Sequence, residues 1–212
     1  MTTSTLPEDS DLVQRSQRGD LGSFNLLVER YQGQVFNLSL RMLGNSQGAE
    51  DATQEAFISA YRGIGSFRGG NFRAWLLRIV SNACTDALRA AKRRPTAPLE
   101  IVDTISFDPP GRNIAIDSPE EHALLRERVG NLQRALDQIP TDQRLVVVLS
   151  DVQGYSYEEI AQITKSSLGT VKSRLSRGRS KMREYVIQNR ELFSEYQRLI
   201  DSQEARASGG QS

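Results

Sequence analysis

The chain has 212 residues, with 27 Lys and Arg against 26 Asp and Glu, a formal net charge of +1 at pH 7. Its 38% hydrophobic and 25% charged residues are ordinary for a globular protein, and its length allows one large domain or two small ones. No stretch approaches the roughly 18 apolar residues of a membrane span, the opening MTTSTLPEDSD lacks the apolar core of a secretory leader, and one Cys (Cys84) with one His (His122) leaves no disulfide, zinc site or other metal centre to expect.

From Leu12 to about Arg94 the pattern is helical. In SFNLLVERYQGQVFNLSLRML, Phe24, Leu27, Val28, Tyr31, Val35, Leu38 and Met42 recur at steps of three and four. GNS at 44–46 breaks the run, and AEDATQEAFISAYRGI opens a second helix with Ala52, Ala56, Ile58 and Ala60 turned inward. The glycine-rich GSFRGGN is a further breaker. FRAWLLRIVSNACTDALRAAKRR then reads as a third long helix, with Trp75, Ile79, Ala83 and Leu88 near its apolar face. Phe72 and Trp75 are expected in the core, Phe67 in a mixed role, and Cys84 as a small buried hydrophobe.

Residues 95–118 hold four prolines and no sustained periodicity, which marks a linker. Ser118-Pro119-Glu120-Glu121 has the composition of a helix start. The helix it opens runs through Leu124, Leu125, Val129, Leu132, Leu136 and Ile139 to Pro140. RLVVVLSD would suit a buried strand, yet Pro140-Thr141-Asp142 supplies a start and its neighbours are helical, so a short helix is expected. The expectation is an all-α chain of two small helical domains, 10–95 and 119–186, joined by a flexible acidic linker at 96–118 and followed by a partly disordered extension at 187–212.

The small net charge hides segregation. Residues 62–94 carry eight basic groups and one acid, residues 165–183 seven basic groups and no acid, and residues 96–121 six acids and one base. Two basic blocks flanking an acidic connector suggest two surfaces serving one polyanion. The second block, KSSLGTVKSRLSRGRSKMR, has a register that specifies its use. Upstream, SYEEIAQIT offers a capping box between Ser156 and Glu159. KSS then makes a turn of about three residues, the helix-turn-helix plan. At about 100° per residue, Val171, Leu175, Gly178 and Met182 form one inward stripe. Ser173, Ser176, Arg177 and Ser180 lie opposite, with Lys172, Arg174, Arg179 and Lys181 on the flanks. Small hydroxyl side chains on the outer face let a helix enter a major groove, and long cations beside them reach phosphates. A solvated helix would mix signs at i,i+4, and a disordered arm would lack the apolar stripe.

GYSYEEIAQITKSSLGTVKSRLSRGRSKMR resembles region 4 of the extracytoplasmic-function (ECF) sigma factors, the promoter-recognition subunits of bacterial RNA polymerase. AEDATQEAFISAYRGIGSFRG with NFRAWLLRIVSNACTDALR resembles region 2 of the same family, and with the opening LVQRSQRGDLGSFNLLVERYQ the resemblance spans Leu12 to Arg183. It implies that Asp51, Gln54, Glu55 and Phe57 dock on the clamp helices of the largest polymerase subunit. Phe67, Arg68, Gly69, Gly70 and Asn71 would hold a base flipped out of the −10 element, with Arg78 and Asn82 beside them. Thr170, Lys172, Ser173, Arg174, Ser176 and Arg177 would bind the −35 element as duplex. It further implies core RNA polymerase (clamp and flap) and promoter DNA as partners, an anti-sigma factor that could hold the chain at the membrane, a bacterial cytoplasmic location, no cofactor and no catalytic residue. FRGGNFRAW is one residue shorter than the usual loop before the tryptophan, and that touches the −10 base preference.

Two rivals are weighed on the residues. A stand-alone helix-turn-helix regulator with an N-terminal sensing domain would have no reason to carry both DATQEAF and FRGGNFRAWL. An enzyme acting on nucleic acid would show a phosphate-binding lysine loop, a metal cluster or a His–Cys pair, and the sequence has none of these.

Overall fold

The computed structural model describes residues 8–93 and 119–193, with side chains from 126 onward in the second stretch. The linker, the Ser118 cap, the His122 side chain and the end of the C-terminal extension lie outside what it describes. Among the described residues there are α-helices, three short turns of other helical type and no strand.

Four helices make the first unit: α1 (Asp9–Gln17), α2 (Leu21–Leu43), α3 (Ser46–Gly63) and α4 (Phe72–Arg93), with a 3-10 turn at Ile64–Ser66 before the loop to α4. The starts of α2 and α3 have a local cause. Asp20 accepts from the Ser23 N–H at 3.1 Å and caps α2, and Asn45 accepts from the Gly48 N–H at 2.7 Å and caps α3. The helices bury Leu12, Leu27, Val35, Leu38, Met42, Ala56, Ala60, Leu76, Leu77 and Val80 against one another. The alanines of α3 let α2 and α4 approach its axis.

Two expectations fail here. The inward stripe of α4 is Phe72, Leu76, Leu77, Val80 and Cys84, while Trp75, Ile79 and Leu88 are only partly buried. Trp75 is about 100° round the helix from Leu76, so α4 offers two apolar stripes, and the positions of α2 and α3 select between them. Ile58 is exposed rather than inward, because the alanines of α3 already face the core.

The second unit comprises α5 (Pro119–Asp137), α6 (Thr141–Val147), α7 (Tyr157–Thr164) and α8 (Leu168–Gln188). RLVVVLSD is helical as expected, passing from α6 into a π-helical turn at Val148–Val152. All three valines are buried, so the run that would suit a strand is the centre of a helical core. The capping box of Ser156 and Glu159 is formed. Val171, Leu175 and Gly178 are buried and Met182 partly so, as the stripe requires.

The units pack together. The carbonyls of the last turn of a helix have no intrahelical partner, and α5 and α6 supply them for α2. Gln133 Nε2 donates to the Arg41 carbonyl at 3.2 Å, and Arg144 Nη1 to the Met42 carbonyl at 2.7 Å. Arg144 also pairs with Asp137 at 3.0 Å. Burial pushes the Asp137 carboxyl above its usual range, against the pull of the Arg144 charge. On the neighbouring edge Arg73 of α4 meets Glu159 of α7 at 2.9 Å and lies over the Tyr155 ring, 4.8 Å from its centroid.

Candidate nucleic-acid interface

Three surfaces gather the sequence-derived residues. The first is the loop between α3 and α4. Gly69 and Gly70 both take positive φ, 91° and 93°, a conformation only glycine adopts without strain. The Asn71 Oδ1 accepts from the Ala74 N–H at 3.0 Å, so Asn71 caps α4 while remaining exposed. Phe67 packs its ring on Phe72 and Trp75, with centroids 5.9 and 5.3 Å away. Between these residues opens a cavity of about 320 Å³ lined by Ser66, Phe67, Arg68, Gly69, Asn71, Ala74, Trp75, Arg78 and, from α7, Gln162. It offers an aromatic wall, two guanidinium groups and open backbone, the features that receive an unstacked base. Trp75, expected in the core, is part of this wall. Ser66, Ala74 and Gln162 were missed. Gln162 belongs to the other unit, and only the packing of α7 on α4 could have revealed it.

The second surface is a groove between α3 and α4 of about 560 Å³, lined among others by Asp51, Ala52, Glu55, Ser59, Ile79, Asn82, Ala83 and Asp86. Asp51 and Glu55 are exposed and one turn apart. Gln47 donates to Asp51 and Ser59 to Glu55, each at 3.2 Å. Gln54 is exposed on the next face, while Phe57 is half-buried and packs on the core. Asn82 lies in this acidic groove, one turn of α4 beyond Arg78, and outside the cavity that Arg78 lines.

The third surface is α8. Its entry is a tight turn in which Lys165 takes φ 48° to end α7, and Ser167 accepts from the Thr170 N–H at 3.1 Å to start α8. Thr170 is half-buried and shares its hydroxyl with Ser167. Lys172, Ser173, Ser176 and Arg177 are exposed, which agrees with the register derived from sequence. Two flanking cations are held within the unit. Arg174 pairs with Asp142 at 3.1 Å and donates to Ser166. Arg179 donates to both oxygens of Asp151, which raises its already high pKa. The segment therefore presents less mobile charge than its composition suggests, with Lys172 and Arg177 standing out at its front.

Among the described residues an all-helical fold with a helix-turn-helix unit and a second unit bearing a base-sized aromatic cavity has the geometry of a nucleic-acid-binding protein. Comparison with known proteins narrows that class. The model of sigma-70 region 2 matches residues 27–94, and that of sigma-70 region 4 matches residues 130–182. The chain is 39% identical over 177 residues to the RNA polymerase sigma-H factor of Pseudomonas aeruginosa, covering 82% of this chain and 92% of that one. It is 40% identical over 173 residues to the ECF RNA polymerase sigma-E factor of Escherichia coli K12, covering 81% and 90%. Two solved structures share the fold at 24% identity. They are CnrH in complex with the cytosolic domain of CnrY (TM-score 0.62, 85% of this chain and 98% of that one) and the sigma factor RpoE in complex with the anti-sigma factor NepR from Bartonella quintana (TM-score 0.57, 80% and 99%). The chain belongs to the ECF group of the sigma-70 family of RNA polymerase sigma factors.

Proposed function

We propose that this chain binds core RNA polymerase and directs initiation at promoters by reading a −10 element with its first unit and a −35 element with its second. One observation carries the reading: a base-sized cavity at a Gly-Gly loop in the first unit stands beside a helix-turn-helix in the second that exposes Lys172, Ser173, Ser176 and Arg177. Phe67, Arg68, Gly69, Gly70, Asn71 and Arg78 take the flipped −10 base. Asp51, Gln54, Glu55 and Phe57 meet the polymerase clamp, and Asn82, in the groove with Asp51 and Glu55, reads the −10 strand one helical turn beyond Arg78. Thr170, Lys172, Ser173, Arg174, Ser176 and Arg177 face the −35 duplex. The domains of the working molecule are 10–95 and 119–186. The polymerase supplies the chemistry, and the chain works in the bacterial cytoplasm. Among the described residues no helix is long and apolar enough to cross a membrane. The RpoE structural neighbour is solved with an anti-sigma factor, and an anti-sigma factor is a further partner of this chain.

The test is reconstitution with core polymerase and run-off transcription on a promoter library. Asp51→Arg with Glu55→Arg reverses two exposed charges on one helix face, and should abolish polymerase binding with helical content unchanged by circular dichroism. Normal transcription by that double variant would refute the clamp assignment. Tight sequence-specific duplex binding by the chain alone at physiological salt would favour the stand-alone regulator.

A further inference from the structure

Gln17 is the last residue of α1 and precedes the region 2 match, which begins at residue 27. Its side-chain amide reaches across the fold to the loop that forms the base-sized cavity. Nε2 donates to the Ile64 carbonyl at 3.0 Å and to the Phe67 carbonyl at 2.8 Å. A primary amide has two N–H donors, and both are used on this one turn. The Ile64 carbonyl also receives the Phe67 N–H at 3.0 Å, which closes the 3-10 turn that Gln17 straddles.

The remainder of the loop has little else to hold it. A Cβ placed at Gly65, Gly69 or Gly70 would meet nothing within 4 Å, so the side-chain direction at those positions faces open space. Arg68 through Asn71 are exposed. The backbone is therefore tied by a polar anchor at each end: Gln17 on the Phe67 carbonyl at the entry, and the Asn71 cap on Ala74 at the exit. α1 is a firm base for the first anchor, because Leu12 and Val13 are buried in the core and Arg15 grips Asp20 at the turn into α2.

We propose that Gln17 is a positioning residue for base selection at the −10 element: it fixes the Phe67 carbonyl, and through it the Phe67 ring and the first backbone groups of the cavity, without touching the DNA. The inference rests on the reading of the 67–71 loop as the −10 reader.

The test uses holoenzyme assembled from core polymerase and the full chain. It measures run-off transcription on the preferred −10 sequence and on single-base substitutions of it. Gln17→Ala should lower the discrimination ratio on the order of tenfold, the scale set by losing hydrogen bonds that hold one geometry. Gln17→Glu should lower it at least as far, since a carboxylate facing two carbonyls has no donor to offer. Polymerase affinity and −35 preference should not change, and melting should shift little because Gln17 is exposed. Leu38→Ala, a fully buried position in the C-terminal half of α2 that takes no part in holding α1, serves as the structural control: it should lower the melting temperature and leave the ratio intact. A ratio that falls equally with Leu38→Ala, or that survives both Gln17 variants while Arg68→Ala and Asn71→Ala abolish it, overturns the positioning role and leaves the −10 reading standing. If Arg68→Ala and Asn71→Ala leave the ratio unchanged, the −10 reading falls, and the role of Gln17 with it.

Discussion

Gly178 is where a single residue decides how closely two helices pack. It lies on the buried stripe of α8, and a Cβ there would come within 2.6 Å of the Val147 Cγ2 and 3.4 Å of the Gln143 carbonyl. Two effects compete in Gly178→Ala. Alanine favours a helix interior by about 1 kcal/mol over glycine, whereas overpacking a filled core costs about 1–3 kcal/mol. Val147 is 1% exposed and has nowhere to swing, so the overlap wins and the variant should melt earlier. Adding Val147→Ala should recover part of the loss. A melting temperature at or above that of the parent would mean α6 and α8 are looser than their packing indicates. Cys84 is a contrasting case at this scale: it is fully buried, and burial raises its thiol pKa to about 11, so it behaves as a core atom rather than a nucleophile.

At the scale of an element, α8 separates reading from holding. Its outer face carries Ser173, Ser176 and Arg177, and its flank carries Lys181, all exposed. Arg177→Ala should weaken use of the −35 element by about 1–3 kcal/mol with altered base preference, as for a base contact. Lys181→Ala should weaken all promoters alike and reduce the salt dependence by about one unit, as for a phosphate contact. Promoter occupancy of the holoenzyme on −35 variants at several salt concentrations distinguishes the two. The opposite assignment, with Lys181 governing preference, would mean the helix meets the groove on another face. The ion pairs of Arg174 with Asp142 and of Arg179 with Asp151 fix α8 to α6 and to the π-helical turn, so these cations serve the orientation of the element even where they also reach DNA.

For the whole molecule, the contact between the two units turns on Arg144, whose side chain is 8% exposed. It donates to the Met42 carbonyl at the end of α2 and to the Asp137 carbonyl, and it neutralises the Asp137 carboxylate. Arg144→Ala removes all three and should cost about 2–3 kcal/mol, because the groups left behind lose their partner without regaining full access to water. Replacing both charges with apolar or neutral groups, Arg144→Met with Asp137→Asn, should cost less than Arg144→Ala alone. Thermal unfolding of the full chain reads both. Arg73→Ala at the other edge should cost at most about 1 kcal/mol, since its pair with Glu159 is one-third exposed on each side. Equal losses for Arg144 and Arg73 would contradict this ranking.

The sequence alone determined the class of fold and most of the surfaces. The steps of three and four in α2, the Ser156–Glu159 capping box and the Val171–Leu175–Gly178 stripe are short-range patterns that the backbone geometry of a helix makes readable. The exposed front of α8 follows from the same register. The Gly-Gly loop was equally legible, since no other residue suits its positive φ. Tertiary structure decided what local pattern leaves ambiguous. It chose the Phe72–Leu76–Val80 stripe over the Trp75–Ile79 stripe of α4, because the rotation of a doubly apolar helix is set by its neighbours. It turned Trp75 from a core residue into a cavity wall and placed Asn82 in the groove with Asp51, outside the cavity that Arg78 lines. It also brought Gln17 to the Phe67 carbonyl, Gln162 to the cavity rim and Arg144 to the end of α2. The Gln17 and Arg144 pairings join residues dozens of positions apart through hydrogen bonds to backbone carbonyls, which every residue possesses, and Gln162 reaches the rim only through the packing of α7 on α4, so no side-chain pattern in the sequence could announce them.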